Sequence, residues 1–354
     1  MGIKTFIDNY LNLFRYYNLA QILNMVRKRL ISPNSTHLFY NPSELIMHII
    51  SKCNYNCLFC FGHAPSVPKN YFNFEDMYFD NFVKIVDRFK GANIIHFSGG
   101  EPFLNLDIFK MIRYANSKNI LVEVTTNGSL LHDKIKQIVN STIRRLNISL
   151  NADNSSEYGR IHGISKSTFF SVLEAITDLV DKKGTKPHQL MLTMSHVTTK
   201  KNYKKIPNMI KLAEELGVDH LHFHNMMSIG LPSYPKDQSL YEDDSEVIEF
   251  IENIEPPSSK LGISMPQLFR HDNIKRICKK PFTTIPIYGN GNVAICCAIN
   301  PRKEFGNVLL DKNVWNNSYF KRIRKIMLDD SEPLPEFCKN CNLNYIPYKV
   351  FVRK

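Results

Sequence analysis

The stretch Glu44-Leu-Ile-Met-His-Ile-Ile50-Ser-Lys-Cys53-Asn-Tyr-Asn-Cys57-Leu-Phe-Cys60 joins an apolar, β-branched run directly to three cysteines. The run, Glu44–Ser51, reads as a strand. Runs of the same character follow at Asn93–Ser98, Ile120–Thr126, Arg145–Leu150, Gln189–Val197 and Val218–His224. Amphipathic segments alternate with them at Phe74–Phe89, Asp107–Ala115, Ser167–Val180 and Tyr203–Leu216. Six strand–helix repeats predict an α/β fold with a parallel sheet, and right-handed crossovers make it a partial (β/α)6 TIM-like barrel. In such folds chemistry collects at the C-terminal ends of the strands.

Three thiolates at spacings of four and three, on a loop after a strand, can ligate three irons of a cubane. The fourth iron then has no protein ligand and can bind a cofactor or substrate directly. A zinc knuckle with His63 as fourth ligand is the other reading of this loop. The second strand ends His96-Phe-Ser98-Gly99-Gly100-Glu101-Pro102. Two glycines let the backbone approach a ligand closely, Glu101 offers a carboxylate to an ammonium group, and Pro102 stops the strand. The third strand ends Thr125-Thr126-Asn127-Gly128 and the fourth Asn147-Ile-Ser149-Leu-Asn151, followed by Glu157-Tyr-Gly-Arg160-Ile-His162-Gly163. Turn and cap chemistry is the alternative for these polar residues.

From the cysteine loop and the Gly-Gly-Glu-Pro motif, one β/α unit apart, the chain resembles the radical S-adenosylmethionine (SAM) superfamily over roughly residues 44–225. That resemblance implies that Cys53, Cys57 and Cys60, with Phe59 beside them, hold a [4Fe–4S] cluster whose open iron is chelated by SAM. It implies that Gly99, Gly100, Glu101 and Pro102 bind the SAM amino group, and that Thr126 and Asn127 lie beside the nucleoside. Ser149 and Asn151 would face the ribose and carboxylate. Asn151 stands where the family usually has Asp, and His162 where Arg is usual, which leaves Arg160 as the nearest candidate for a carboxylate contact.

Five cysteines remain: Cys278, Cys296, Cys297, Cys338 and Cys341. Cys338-Lys-Asn-Cys341 can reach one metal centre. Ile285–Tyr288 and Val293–Cys296, joined by Gly289-Asn290-Gly291, read as a hairpin. A structural zinc ribbon would use the same four thiolates. The arrangement resembles the SPASM auxiliary-cluster module in its shortened "twitch" form. That implies a second [4Fe–4S] cluster on Cys278, Cys296, Cys338 and Cys341, closed by protein and suited to electron transfer. Cys297 reads as an inert neighbour.

Four segments result: a basic helical extension over 1–43, a core barrel over 44–230, a linker over 231–277 and the C-terminal module over 278–354. In residues 3–31 the apolar side chains follow helical spacing, and Lys4, Arg15, Arg27, Lys28 and Arg29 face only Asp8. Such a stripe can lie on an anionic membrane or dock on the catalytic domain. The net charge of +12 lacks the aromatic interleaving of a nucleic-acid track, so no nucleic acid is expected. No run approaches the roughly 20 apolar residues that span a bilayer and no secretory signal stands out, which points to the cytoplasm or the inner face of the membrane.

The sixth strand alternates His220, His222 and His224 on one face, with His222 and His224 as substrate-binding or base candidates. The expected reaction is a radical two-electron oxidation of a polar, sugar-like or lipid-linked small molecule, with a flavodoxin or ferredoxin as reductant. The four-cysteine module resembles that of the twitch dehydrogenase that oxidises an amino-cyclitol alcohol, which favours the oxidation. Epimerisation and peptide maturation are the enzymatic alternatives, and an Fe–S or zinc scaffold binding RNA or protein the non-enzymatic one. A scaffold leaves the Gly-Gly-Glu-Pro motif without purpose, and a front segment that reads as helix disfavours a leader-binding domain.

Overall fold

A computed structural model describes residues 18–30, 35–68, 71–184, 190–227, 236–269, 278–297 and 299–339. In chain order its elements are α1 (Leu19–Leu30), β1 (Glu44–Ile50), α2 (Phe79–Arg88), β2 (Ile94–Gly99), α3 (Ile108–Ser117), β3 (Leu121–Thr126), α4 (Ile135–Val139), β4 (Ile143–Ser149), α5 (Ser155–His162), α6 (Ser167–Lys182), β5 (Met191–Thr198), α7 (Ile206–Leu216), β6 (His220–Asn225), α8 (Ser245–Glu252), β7 (Gly262–Ser264), α9 (Lys280–Thr283), β8 (Thr284–Tyr288), α10 (Ser318–Leu328) and α11 (Glu336–Lys339). The eight strands form one sheet in the order β7-β6-β5-β4-β3-β2-β1-β8, so the barrel is partial and open between its end strands. All six strands expected from sequence are present, and β7 and β8 are added to them.

The chain divides into two compact units. In the first, drawn from residues up to 51, 74–123 and 279–332, β1 is flanked in parallel by β2 and β8, with Met47 opposite both Phe97 and Ile287. A strand covered on both faces needs apolar side chains at nearly every position, and β1 is buried from Leu45 to Ile50. Helices α2 and α3 bury Phe82, Ile85 and Val86, and Met111, Ile112 and Ala115, the i, i+3, i+4 faces their amphipathic sequences predict.

The hairpin turn read at Gly289–Gly291 forms: Gly291 N–H donates to the Tyr288 carbonyl at 2.8 Å and Tyr288 N–H to that of Asn292 at 2.9 Å. Its first arm, however, also extends the main sheet as β8, because Thr284–Tyr288 is buried at every position. Its second arm meets the first through an isolated bridge, Val293 to Ile287, and a hydrogen bond from Ala294 N–H to the Pro286 carbonyl at 3.0 Å. The C-terminal end of this unit is tied in by Arg324, fully buried, which donates to the carbonyls of Pro281, Trp315 and Thr36 and to Asn316 Oδ1.

In the second unit, drawn from residues 52–73, 124–278 and 333 onward, β4, β5, β6 and β7 pair in parallel, with Ser149 opposite Ser195, Ser195 opposite His222 and His222 opposite Ser264. One face of these strands is apolar and buried through Leu146, Ile148, Leu192, Met194, Leu221 and Phe223. By the two-residue period of a strand, the other face carries Arg145, Asn147, Ser149, Thr193, Ser195, His220, His222 and His224.

Candidate iron–sulfur site

The cysteine loop is held by protein groups on three sides within its unit. Asn56 N–H donates to the His162 carbonyl at 3.1 Å and Leu58 N–H to that of Ile161 at 2.9 Å, so the loop lies across the C-terminal end of α5. Gly163 closes that helix in the left-handed region, with φ of 65°. A Cβ at Gly163 would stand 3.2 Å from the Asn56 carbonyl oxygen, so both the conformation and the close approach call for glycine. Asn127, at the end of β3, places its Nδ2 at 2.8 Å from Asn54 Oδ1 and 3.9 Å from Cys53 Sγ. Buried Tyr55 and Tyr158 share a hydroxyl–hydroxyl bond of 3.0 Å.

His162 makes the third attachment. Its Nε2 donates to the Leu150 carbonyl at 2.9 Å, which leaves Nδ1 as the acceptor facing Cys57 Sγ at 3.0 Å. The ring is fully buried, and burial holds its pKa down to about 4, so it is neutral. Sequence reasoning places His162 only as a departure from an arginine. Nothing in the local pattern signals that a residue 105 positions away supports a cysteine of the loop.

The three thiols suit a polynuclear cation. Burial, then the proximity of Cys60 and Cys53, pushes the Cys57 thiol well above its ordinary value. Burial also raises Cys60, opposed by backbone N–H groups of Gly62 and His63 that point at its sulfur. Thiols that oppose one another's ionisation become thiolates when a cationic centre neutralises them. Among the described residues no three His, Cys, Asp or Glu side chains converge on a single metal ion. A cubane does not need such convergence, because each thiolate binds a different iron. The His63 ring packs edge-on against Phe72, 5.7 Å between centroids.

The strand ends carry the other expected residues. In the first unit Gly99 has φ of 125°, and a Cβ there would meet the Ile50 carbonyl oxygen at 2.5 Å, while Gly100 N–H donates to that same oxygen at 2.8 Å. The end of β2 is thus fixed against the residue where β1 turns toward the cysteines. Glu101 is buried, and its Oε1 caps the Pro102–Leu104 turn by accepting from Phe103 N–H at 3.1 Å. In the second unit Thr126 accepts from Gly128 N–H. Ser149 accepts from the Ser195 hydroxyl at 3.5 Å. Asn151 is buried with φ of 60°, and its Oδ1 accepts from Val197 N–H at 2.8 Å, so this side chain ties β4 to β5. Arg160 is largely exposed and pairs with Glu157 at 3.7 Å. It lines a cavity of about 200 Å³ with Leu58, Phe59, Asn202 and Met226.

On the polar face of β4–β7 the imidazoles form a ladder, His220 to His222 at 4.2 Å and His222 to His224 at 5.9 Å between centroids. His220 Nε2 bonds Ser264 Oγ at 2.9 Å. Burial, then His220, His224 and Arg145, lowers His222 to about 4, and burial followed by Arg145 lowers His224. Both are neutral bases at neutral pH.

Cys278 and Cys338 fall in the second unit and Cys296 in the first, while Cys341 lies outside the described residues. None of the described cysteines forms a disulfide. Cys297, which the sequence reads as inert, has its thiol brought down to about 7, first by a hydrogen bond with Cys296 and then by the Lys280 charge, against burial.

Comparison with known proteins adds the family context. The Radical SAM superfamily model matches residues 47–213, and the SPASM model, an iron–sulfur cluster-binding domain, matches residues 278–342. A probable GTP 3′,8-cyclase of Saccharolobus islandicus is 28% identical over 212 residues, 60% of this chain and 65% of that protein. One of Sulfurisphaera tokodaii is 30% identical over 209 residues, 59% of this chain and 63% of that one. The chain therefore spans less than two thirds of the length of these relatives. Among solved structures, Streptococcus suis SuiB bound to S-adenosylmethionine aligns with a TM-score of 0.63 at 18% identity, covering 86% of this chain and 71% of SuiB. Native anSMEcpe with bound AdoMet and the Cp18Cys peptide aligns with a TM-score of 0.56 at 18% identity, covering 84% and 85%. At such identity these two likenesses speak to the fold.

Proposed function

The chain belongs to the radical SAM superfamily and carries its SPASM iron–sulfur domain, and from that we propose that it oxidises a polar, sugar-like substrate, free or lipid-linked, by hydrogen-atom abstraction. Cys53, Cys57 and Cys60 would hold the [4Fe–4S] cluster that works with SAM, and Cys278, Cys296, Cys338 and Cys341 an auxiliary one. When bound, the first cluster and SAM supply a 5′-deoxyadenosyl radical that takes a hydrogen atom from the substrate. Phe59, Gly99, Gly100, Glu101, Pro102, Thr126, Asn127, Ser149, Asn151 and Arg160 are the residues assigned to SAM.

The observation that carries the substrate reading is the polar face of β4–β7. Asn147, Ser149, Ser264, the imidazoles and Arg145 offer hydrogen bonds and one positive charge along a single surface, with Thr193 and Ser195 buried among their own hydrogen bonds. That surface suits a hydroxyl- or phosphate-bearing molecule better than an apolar one. The curated relatives are named for a nucleotide, GTP, which is likewise polar and phosphorylated. After loss of a hydrogen atom, oxidation of the carbinol radical to a carbonyl releases one proton and one electron, and the electron would pass to the auxiliary cluster that Cys278, Cys296, Cys338 and Cys341 would hold. A neutral ring nitrogen of His222 or His224 would take the proton.

The reconstituted protein, given SAM and dithionite under argon, should release 5′-deoxyadenosine. With C–H-deuterated sugars and nucleotides, label should appear in it for the true substrate. His224→Ala should lower substrate oxidation about 100-fold while 5′-deoxyadenosine release continues. A protein that assembles its clusters yet releases no 5′-deoxyadenosine under any condition overturns the reading.

A further inference from the structure

Helix α1 is fastened to its unit through Gln21, Ile22 and Asn24, two amide side chains and one apolar residue, while the rest of its described apolar stripe is left outside. Gln21 Nε2 donates to the carbonyls of Ala92 and Asn119 at 2.8 and 2.9 Å. Asn24 Nδ2 donates to those of Gly91 and Asn41, both at 3.0 Å, and its Oδ1 accepts from Asn41 N–H. At 3.6 residues per turn, Leu19, Leu23, Val26 and Leu30 share an arc of about 60°, and Gln21 and Asn24 point the opposite way. The four apolar side chains are accordingly 61, 44, 37 and 80% exposed. Of the stripe read over residues 3–31, Leu19, Leu23, Val26 and Leu30 face outward and Ile22 inward, and residues 3–17 lie outside the described residues.

The charge beside it is of one sign. Arg27 and Arg29 are exposed and lie to either side of the stripe, roughly 70–90° from its centre. No Asp or Glu occurs between Leu19 and Leu30. We propose that this face of α1 rests on an anionic bilayer surface, with the leucines and Val26 at the boundary of headgroups and acyl chains and both arginines on lipid phosphates. Arginine stems reach up from such a depth while their guanidinium groups stay at the headgroups.

The spacing of four, three and four would also fit a seam with a second copy of the helix. Pairing with itself would set Arg27 and Arg29 against the same arginines with no carboxylate to meet them, and the seam is under two heptads long. An anionic surface meets both charges at once. Among the described residues no helix is long and apolar enough to cross a membrane, so the contact is one of lying on the surface. This inference is independent of the radical chemistry.

Sedimentation of the holoenzyme with phosphatidylcholine vesicles, with and without phosphatidylglycerol, tests it. Binding should need phosphatidylglycerol and weaken with salt. The double variants Leu23→Gln/Val26→Gln and Arg27→Gln/Arg29→Gln should each bind about tenfold more weakly or worse, with thermal melting and 5′-deoxyadenosine release unchanged. The arginine pair keeps the test decisive should the stripe variant fold poorly. The proposal is overturned if the wild type ignores anionic vesicles, or if both variants bind as it does. It is also overturned if the wild type is a dimer that the stripe variant splits while no vesicles are bound.

Discussion

Asn127 and His162 each approach a cysteine sulfur of the loop from a different strand–helix connection, and neither is itself an expected ligand. Asn127 can donate to a sulfur, whereas the neutral His162 ring supports the loop by its bond to the Leu150 carbonyl and its packing against Tyr55 and Tyr158. Such surroundings of a ligand typically change metal affinity by about 10–100-fold when removed. His162→Ala should therefore lower the iron and sulfide retained per chain after anaerobic reconstitution by about tenfold or more. His162→Gln, which keeps a polar group in the space, should recover part of it. Retention equal to wild type in the alanine variant would remove His162 from any role in cluster binding. The cysteines themselves are plain in the sequence because their spacing is local. The histidine is not, because its contact depends on how the end of α5 packs.

At the level of elements, the amphipathic segments and the six expected strands are legible because burial on one face imposes periods of two and 3.6 residues. The pairing of β8 with β1 is not, since a Gly-Asn-Gly turn specifies a hairpin but says nothing about a third neighbour. The same limit applies to α1. Its apolar stripe marks a helix, yet the side that faces the protein is the one with Gln21, Ile22 and Asn24. The α5 terminus gives the sharpest element-scale expectation. Gly163→Val forces a branched side chain into the left-handed region, at about 1–2 kcal/mol, and against the Asn56 carbonyl. The melting temperature should fall by several degrees, and cluster retention should fall with it. Unchanged melting and retention together would mean that the loop does not depend on this approach.

Over the whole molecule, two further histidines are buried in the neutral state, one in each unit. Burial, reinforced by His96, holds His48 at about 3. Burial, opposed by Asp153 and reinforced by His224, holds His196 at about 4. Both lie below the ordinary value of about 6.5, so the unfolded chain takes up protons first as pH falls. Their contribution to stability is complete above about pH 6.5 and drains away toward pH 4, with a slope of up to about 1.4 kcal/mol per pH unit for each group. Apoprotein melting should accordingly fall between pH 6.5 and 4.5, and His196→Gln should flatten the decline. A pH-independent melting temperature across that window would contradict it. Finally, Asn54, Asn56 and Leu58 of the cysteine loop are each held by residues of the loop's own unit. A fault introduced at Asn127 or Gly163 should thus stay local, disturbing the course of the loop while the core around β1 packs as before.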